Sequence, residues 1–303
     1  MDLNFAEGVL TGRFDPAQLF YWIPFKNWVR LLEEDATKAS PIMIQSICIR
    51  AVYTGSDGSL NSMAFDYDGT IQGEEISGEV FMQNDVVAIL IVLDDGDEEY
   101  TILSRQPRVA IGSGNFCEIP SGRFSESGQF EGEATAALKE KAGITMSRSG
   151  LLNMTSAAYG NEFRGVSTSP GRSNDVAVLY LYRKRVNKYD IEEIRKATPA
   201  LRHEPAKTDI TVAKLEALWM CSADATSLCA VLLYKKLLED GFIPPRGSLT
   251  DASENSSPSR ARKISSQNRL RFSFGSRSIS SSSFNGLLPS SSEAATSPKS
   301  ATK

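Results

Sequence analysis

The sequence has little histidine or cysteine and no long apolar run. Its 303 residues include one histidine, His203. A lone histidine near a helix start more often lies at the surface or caps the helix, so we assign it no catalytic role. The four cysteines are too scattered for a disulfide framework or a zinc motif, which favours a reducing compartment. No run reaches the roughly 18 apolar residues of a membrane span, and no transit peptide is evident. We therefore expect a cytoplasmic protein without a membrane segment.

Positive charge is scarce in most of the chain. The net charge of −4 combines two unlike parts. Residues 251–303 contain eight Lys/Arg and three Asp/Glu, a charge of +5, so the first 250 residues carry −9. An acidic body argues against nucleic acid as a partner.

The stretch 118–144 combines a strand end, a glycine turn, a polar loop, a helix and a glycine stop. The turn is Glu118-Ile-Pro-Ser-Gly122, the helix is predicted over 131–142, and Gly143 suits its C-terminal cap. A carboxylate at a strand end facing a helix of Glu and Lys indicates a phosphate or metal site. On these residues alone, an ordinary loop and helix is the simpler interpretation.

Apolar patterning predicts both helices and strands around this stretch. The flanking elements comprise helices, a hairpin and buried strands. The helices are predicted over 16–36, 190–196 and 215–241, the hairpin over 42–53 and 60–67, and further strands over 80–93, 100–105 and 176–182.

The stretch 118–144 resembles the box of the Nudix hydrolases, G-x5-E-x7-R-E-U-x-E-E-x-G-U, where U is apolar. Gly122 fits the first glycine, Leu138 the inner apolar position and Glu140 the first of the paired glutamates, while Gly143-Ile144 fits the end.

Four box positions differ from the pattern. Gly128 stands in place of the early glutamate, Ala136 and Ala137 in place of Arg-Glu, and Lys141 in place of the second paired glutamate. Positions 137, 140 and 141 share one helix face, so two of its three carboxylates are missing. We therefore expect Mg²⁺, or Mn²⁺, to bind weakly if at all.

The flanks are similar to the ADP-sugar diphosphatase branch of this family. Residues 102–108 resemble its L-x-x-Q-x-R strand end, 118–122 its E-L-P-A-G turn, and 169–175 its S-P-G-G-x-D-E loop. The likeness extends over roughly 20–245. It implies an α/β/α Nudix sandwich with a mixed sheet, preceded by an N-terminal helix and antiparallel strands.

The resemblance also assigns roles to individual residues. The carboxylates Glu118, Glu140 and Glu133 could gather one magnesium ion, and Glu140 and Asp175 are the candidate catalytic residues. The basic residues expected to contact phosphates or a sugar are Arg105, Arg108, Arg172 and Lys141. The other acids that could replace a lost metal ligand are Glu126, Glu131 and Glu162.

Two functions stay open. The first is hydrolysis of an ADP-sugar such as ADP-ribose to AMP and a sugar phosphate, weakened by the lost metal ligands. The second is binding of a nucleotide sugar or a partner protein without turnover.

The chain divides into three expected regions. Residues 1–80 form the N-terminal helix and hairpin region, through which the resemblance implies a homodimer, and 81–246 form the Nudix domain. Residues 247–303 are Ser-rich and basic, have few large apolar residues, and are predicted to be disordered. Basic residues precede several of these serines, so a phosphorylated tail could bind a partner. An unmodified tail is an equally good interpretation.

Overall fold

The computed structural model describes residues 1–6, 14–37, 41–198 and 208–245. His203 and the Ser-rich tail lie outside these residues. In the described part of the chain, no helix is long and apolar enough to cross a membrane.

The N-terminal part builds a four-stranded sheet in the order β1-β2-β3-β4. Its strands are β1 (Asp2–Phe5), β2 (Ile42–Thr54), β3 (Leu60–Ile71) and β4 (Glu74–Gln83). β1 runs parallel to β2, and the other pairs are antiparallel. Helices α1 (Gln18–Tyr21) and α2 (Ile23–Asp35) pack on this sheet, where Leu19, Phe25 and Phe65 are buried together.

The N-terminal helix predicted over 16–36 is two helices. Trp22 between them is extended, with φ −71° and ψ 123°, and Pro24 lies in the first turn of α2. A proline is tolerated in the first turn of a helix but would break the hydrogen-bond ladder in its interior. The helix therefore has to restart just before Pro24.

The prediction of a single buried strand over 80–93 was wrong. β4 ends at Gln83 and β5 (Val86–Asp94) begins three residues later in a different sheet. Asn84 and Asp85, between the two strands, interrupt the apolar run, and the Gln83 N–H donates to Asn174 Oδ1 at 2.8 Å. Because residues 80–82 and 86–93 are apolar, the sequence pattern alone does not reveal this break.

The larger sheet has nine strands, with β10-β12-β5-β6-β13 as its main path. The remaining strands are β6 (Glu99–Arg108), β7 (Ser113–Glu118), β8 (Ser121–Phe124), β9 (Phe130–Glu131), β10 (Leu152–Asn153), β11 (Val166–Ser167), β12 (Val176–Arg185) and β13 (Asp209–Lys214). β5 and β12 are parallel, and their other neighbours are antiparallel. The sheet is therefore mixed, as expected.

Helices cover both faces of this sheet. They are α3 (Thr135–Ala142), α4 (Met154–Tyr159), α5 (Lys188–Ala197), α6 (Leu218–Cys221) and α7 (Ala225–Glu239). Alternate residues of β5 enter two separate cores: Leu90 packs with α4 and α7 residues, and Ile91 packs with α3 and α5 residues. This arrangement confirms the α/β/α sandwich.

The box helix begins four residues later than predicted. α3 starts at Thr135, because the chain first crosses over β8. A Cβ on Gly122 would lie 2.1 Å from the carbonyl oxygen of Glu131, and one on Gly132 would lie 2.4 Å from that of Ser121. Glycine at both positions permits this close crossing. Consequently Glu131 and Glu133 precede the helix instead of belonging to its first turn.

We expect Leu237→Ala to lower the free energy of unfolding by about 2–5 kcal/mol, because this α7 side chain is 3% exposed in a core that also contains β5. Leu232→Ala on the same helix is the matched control. Its side chain is 60% exposed, so a change within about 0.5 kcal/mol is expected. Urea unfolding followed by circular dichroism measures both, and equal losses would contradict this assignment of the buried face.

Candidate functional site

A cavity of about 690 Å³ lies where β5 and β12 begin and β7 turns into β8. Its walls include two arginines, Arg108 and Arg123. The six carboxylates that line it are Asp85, Glu118, Glu131, Glu133, Asp175 and Asp224. With a formal charge of −4 from these side chains, the wall attracts cations and repels a bare anion.

The Glu118 carboxylate lies in this wall and is held by two neighbours. β6 and β7 pair in antiparallel fashion, which brings residues near the end of β6 beside Glu118 at the end of β7. Arg108 forms an ion pair with the carboxylate, with its Nε donating to Oε2 at 3.3 Å. Gln106 Nε2 donates to Oε1, and Gln106 Oε1 accepts from the Thr208 hydroxyl at 3.2 Å. Glu118 is thus neutralised by the protein itself.

Asp175, immediately before β12, is buried and hydrogen-bonded by two hydroxyl groups. Thr168 Oγ1 donates to Oδ2 at 3.1 Å, and Ser173 Oγ donates to Oδ1. The loop that carries Asp175 is held to β4, because the Phe81 N–H donates to the Arg172 carbonyl at 2.8 Å. This loop therefore presents a fixed carboxylate to the cavity.

Asp85, in the break between the two sheets, is a cavity residue that sequence analysis missed. Arg164 Nη1 donates to Oδ2 at 2.8 Å. Burial raises the pKa of Asp85, and the charge of Arg164 opposes this rise in part. Because apolar residues lie on either side of Asp85, the sequence pattern did not mark it as a site residue.

The N-terminus of α7 supports the strand end that carries Glu118. Asp224 caps the helix, accepting from the Ser227 N–H at 2.8 Å and from its hydroxyl at 2.6 Å. The Ser227 oxygen in turn accepts from the Ile119 N–H at 2.9 Å. Asp, followed three residues later by Ser at the start of a helical pattern, was the available sequence signal for this cap.

Lys141 and Arg105 lie together, but not in the cavity wall. Lys141 Nζ forms an ion pair with Asp209 Oδ1, and Arg105 Nη2 lies 3.7 Å from Asp209 Oδ2. All three side chains are at least four-fifths buried. Burial tends to raise the pKa of Asp209, but the hydrogen bond from Lys141 and the nearby charges outweigh it, so that pKa is lowered. The pair therefore stabilises the fold at neutral pH, and this contribution is lost as the pH falls through the lowered value.

The remaining residues of the predicted site are dispersed. Glu140 is exposed on α3 and does not line the cavity. The Arg172 side chain is 81% exposed and lies 3.9 Å from Glu79. Ala137, at a box position where the family has a glutamate, is buried in the core beneath α3. Glu133 lines the cavity together with Glu118, Arg108 and Asp175.

The other three acids considered as replacement ligands divide in the same way. Glu131 lines the cavity, whereas Glu126 and Glu162 are exposed residues outside its wall.

The residues present do not fit a resident metal ion. Among residues 1–6, 14–37, 41–198 and 208–245, no three His, Cys, Asp or Glu side chains come close enough to hold one. Magnesium requires several oxygen ligands around one point. Here Glu118 is paired with Arg108, Glu140 lies outside the cavity, and Lys141 is a cation where a ligand is needed.

No protein-family model matches the chain. Nudix hydrolase 14, chloroplastic, from Arabidopsis thaliana is 26% identical over 224 residues, which cover 72% of each protein.

Two solved structures are similar to this chain at low sequence identity. An ADP compounds hydrolase is 15% identical, covers 67% of this chain and 97% of its own, and has a TM-score of 0.40. An Ap4A hydrolase from C. elegans is 11% identical, covers 52% of this chain and 100% of its own, and has a TM-score of 0.27. The chain therefore has an α/β/α fold and is similar in sequence to a Nudix hydrolase over 72% of its length.

Proposed function

We propose that the protein binds an ADP-sugar, such as ADP-ribose, as its magnesium complex and hydrolyses the diphosphate slowly to AMP and a sugar phosphate. The observation that carries this proposal is the cavity over the Glu118–Gly122 turn, which contains both arginines and carboxylates. Its volume is within the range of small-molecule sites. The likeness of residues 102–108, 118–122 and 169–175 to the ADP-sugar branch supports the choice of ligand.

The charge of the cavity wall determines the form of the ligand. Six carboxylates and two guanidinium groups disfavour a free diphosphate, whereas a complex in which Mg²⁺ offsets the phosphate charge is not repelled. Because residues 1–6, 14–37, 41–198 and 208–245 form no resident ion site, we propose that the ion enters with the nucleotide. We propose that Asp175, held by the Thr168 and Ser173 hydroxyls, accepts the proton of the attacking water.

Slow hydrolysis follows from the state of the box helix. Ala137 is buried, Lys141 pairs with Asp209, and Glu140 is outside the cavity wall, so α3 contributes no carboxylate to the reaction centre. These observations also favour a second candidate, a protein that binds the same ligands without turnover. The two candidates share the cavity and differ only in product formation.

AMP release from ADP-ribose with Mg²⁺ separates the two candidates. For slow hydrolysis we expect measurable AMP that falls about 100-fold in Asp175→Asn, because the proton acceptor is lost. Glu140→Gln is the matched control and should stay within about 2-fold of the wild type, since Glu140 lies outside the cavity wall. No AMP from the wild type, together with tight ADP-ribose binding by calorimetry, would establish the second candidate, and absence of binding would reject both.

We expect Lys141→Glu to lower the free energy of unfolding by about 3 kcal/mol, because it places two carboxylates together in a largely buried position. The exchanged variant Lys141→Glu/Asp209→Lys should recover only part of this loss, because its new lysine would lie beside Arg105. Thermal unfolding at neutral pH measures both. If the exchanged variant were as unstable as Lys141→Glu, the Lys141–Asp209 pair would not be what stabilises this end of α3. Restoring glutamates to the box therefore requires a change at Asp209 as well.

We also propose a homodimer formed by the N-terminal region, residues 1–80. Phe20, Tyr21 and Ile23 lie at the corner between α1 and α2 and are 58%, 78% and 69% exposed. Clustered exposed apolar side chains are typical of protein interfaces.

Light scattering after gel filtration should give a dimer mass for the wild type and a monomer mass for Tyr21→Ser/Ile23→Ser. Tyr189→Ser, which changes a comparably exposed residue on α5, is the control and should remain dimeric. A monomeric wild type would reject the proposal. The cytoplasmic location and a phosphorylation-dependent partner of the tail stay predictions.

A further inference from the structure

The Arg108 guanidinium lies among carboxylates from three different elements. Glu118 ends β7, Glu133 precedes α3, and Asp224 caps α7, and all of them line the cavity with Arg108. The hydrogen bond with Glu118 raises the pKa of Arg108, burial opposes the rise, and the charges of Glu133 and Asp224 add to it. A protein cation thus lies near enough to each of the three carboxylates to interact with its charge.

The pairing with Arg108 leaves Glu118 little capacity to bind another group. A carboxylate accepts about four hydrogen bonds, and three are taken here: Arg108 Nη2 and Gln106 Nε2 both donate to Oε1, and Arg108 Nε donates to Oε2. Arg108 is less constrained. Its side chain is 39% exposed, against 10% for Glu118, and two of its five N–H groups serve Glu118. The arginine can therefore turn towards a ligand, while the carboxylate stays in place.

We propose that Arg108 is an exchangeable counter-ion, which an incoming diphosphate draws away from Glu118 while the cation carried by that ligand takes its place beside the carboxylate. The inference rests on the proposed function, since it requires a diphosphate ligand in this cavity. It concerns how such a ligand enters.

The exchange couples the binding of anion and cation. A diphosphate without a cation would take Arg108 and leave the buried Glu118 carboxylate with the Gln106 hydrogen bond but no counter-ion, which is unfavourable. A cation without a diphosphate would have to displace Arg108, with no anion to receive the guanidinium. Each ion alone therefore binds weakly, and the two together bind well. This explains why a site with six carboxylates forms no resident ion site in the described part of the chain.

Calorimetry with α,β-methylene-ADP, whose bridging diphosphate analogue is not hydrolysed, tests the exchange. For the wild type we expect Mg²⁺ to strengthen binding of this probe by about 10-fold, within the 5- to 150-fold range of coupled sites. In Glu118→Gln, Arg108 is released in advance. Metal-free binding should become about 5-fold tighter than in the wild type, and the gain from Mg²⁺ should fall below about 2-fold.

Two further variants separate the exchange from simple charge repulsion. Glu131→Gln also removes one negative charge from the cavity wall, but Glu131 pairs with Arg123 and is half exposed. It should change metal-free binding by less than about 2-fold and keep the gain from Mg²⁺. Arg108→Gln should weaken probe binding with and without Mg²⁺ and lose the coupling, which gives a second test if Glu118→Gln does not fold.

The outcomes are distinguishable. If the wild type binds the probe neither with nor without Mg²⁺, the proposed ligand class is wrong, and the exchange is wrong with it. If the probe binds but Glu118→Gln and Glu131→Gln behave alike, only the exchange is overturned. Tighter metal-free binding in Glu118→Gln alone supports the exchange.

Discussion

The structure depends on the burial of β5 on both of its faces. Every second side chain of this strand enters the core under α4 and α7, and the others enter the core under α3 and α5. The strand also pairs in parallel with β12 over nine residue positions, from Val86 to Asp94. β5 therefore holds both helix layers and β12 in place. The residues just before β5 and just before β12 are held in place with them. Asp85 and Asp175 occupy those two positions, so packing in the core determines where these cavity carboxylates lie.

The two ion pairs near the box, Arg108–Glu118 and Lys141–Asp209, differ in how far they are buried. In the cavity, Glu118 is paired with an arginine that is part exposed, so its partner can change. At the C-terminal end of α3, Lys141 and Asp209 are both largely buried, and Arg105 adds a second cation beside the same carboxylate. A largely buried pair is expensive to separate, whereas a part-exposed arginine can turn towards water at little cost. The Arg108–Glu118 pair is therefore suited to exchange its partner, whereas the Lys141–Asp209 pair is suited to a fixed structural contact.

The sequence predicted the layers of the fold well and the site less completely. Apolar strands and glycine turns are local signals, so the sandwich and most strands followed from them. The start of α3 did not, because the glycine crossing at Gly122 and Gly132 depends on the pairing of β8 and β9, which have four and two residues and are too short to give a periodic signal. Likewise the pairing of Lys141 with Asp209 joins residues 68 positions apart, and the Ser227–Ile119 hydrogen bond joins residues 108 apart. Such partners become visible only when the chain is folded.

The Lys141–Asp209 pair also has a consequence for the history of this chain. Any ancestor with a glutamate at position 141 would have faced a carboxylate at position 209 across a largely buried gap, unless that residue was different too. Each of the two present residues is tolerated because the other is there, which is mutual epistasis. A stepwise return to an acidic helix would pass through an intermediate with like charges in contact. A single substitution at either position is therefore expected to be less well tolerated than the paired change.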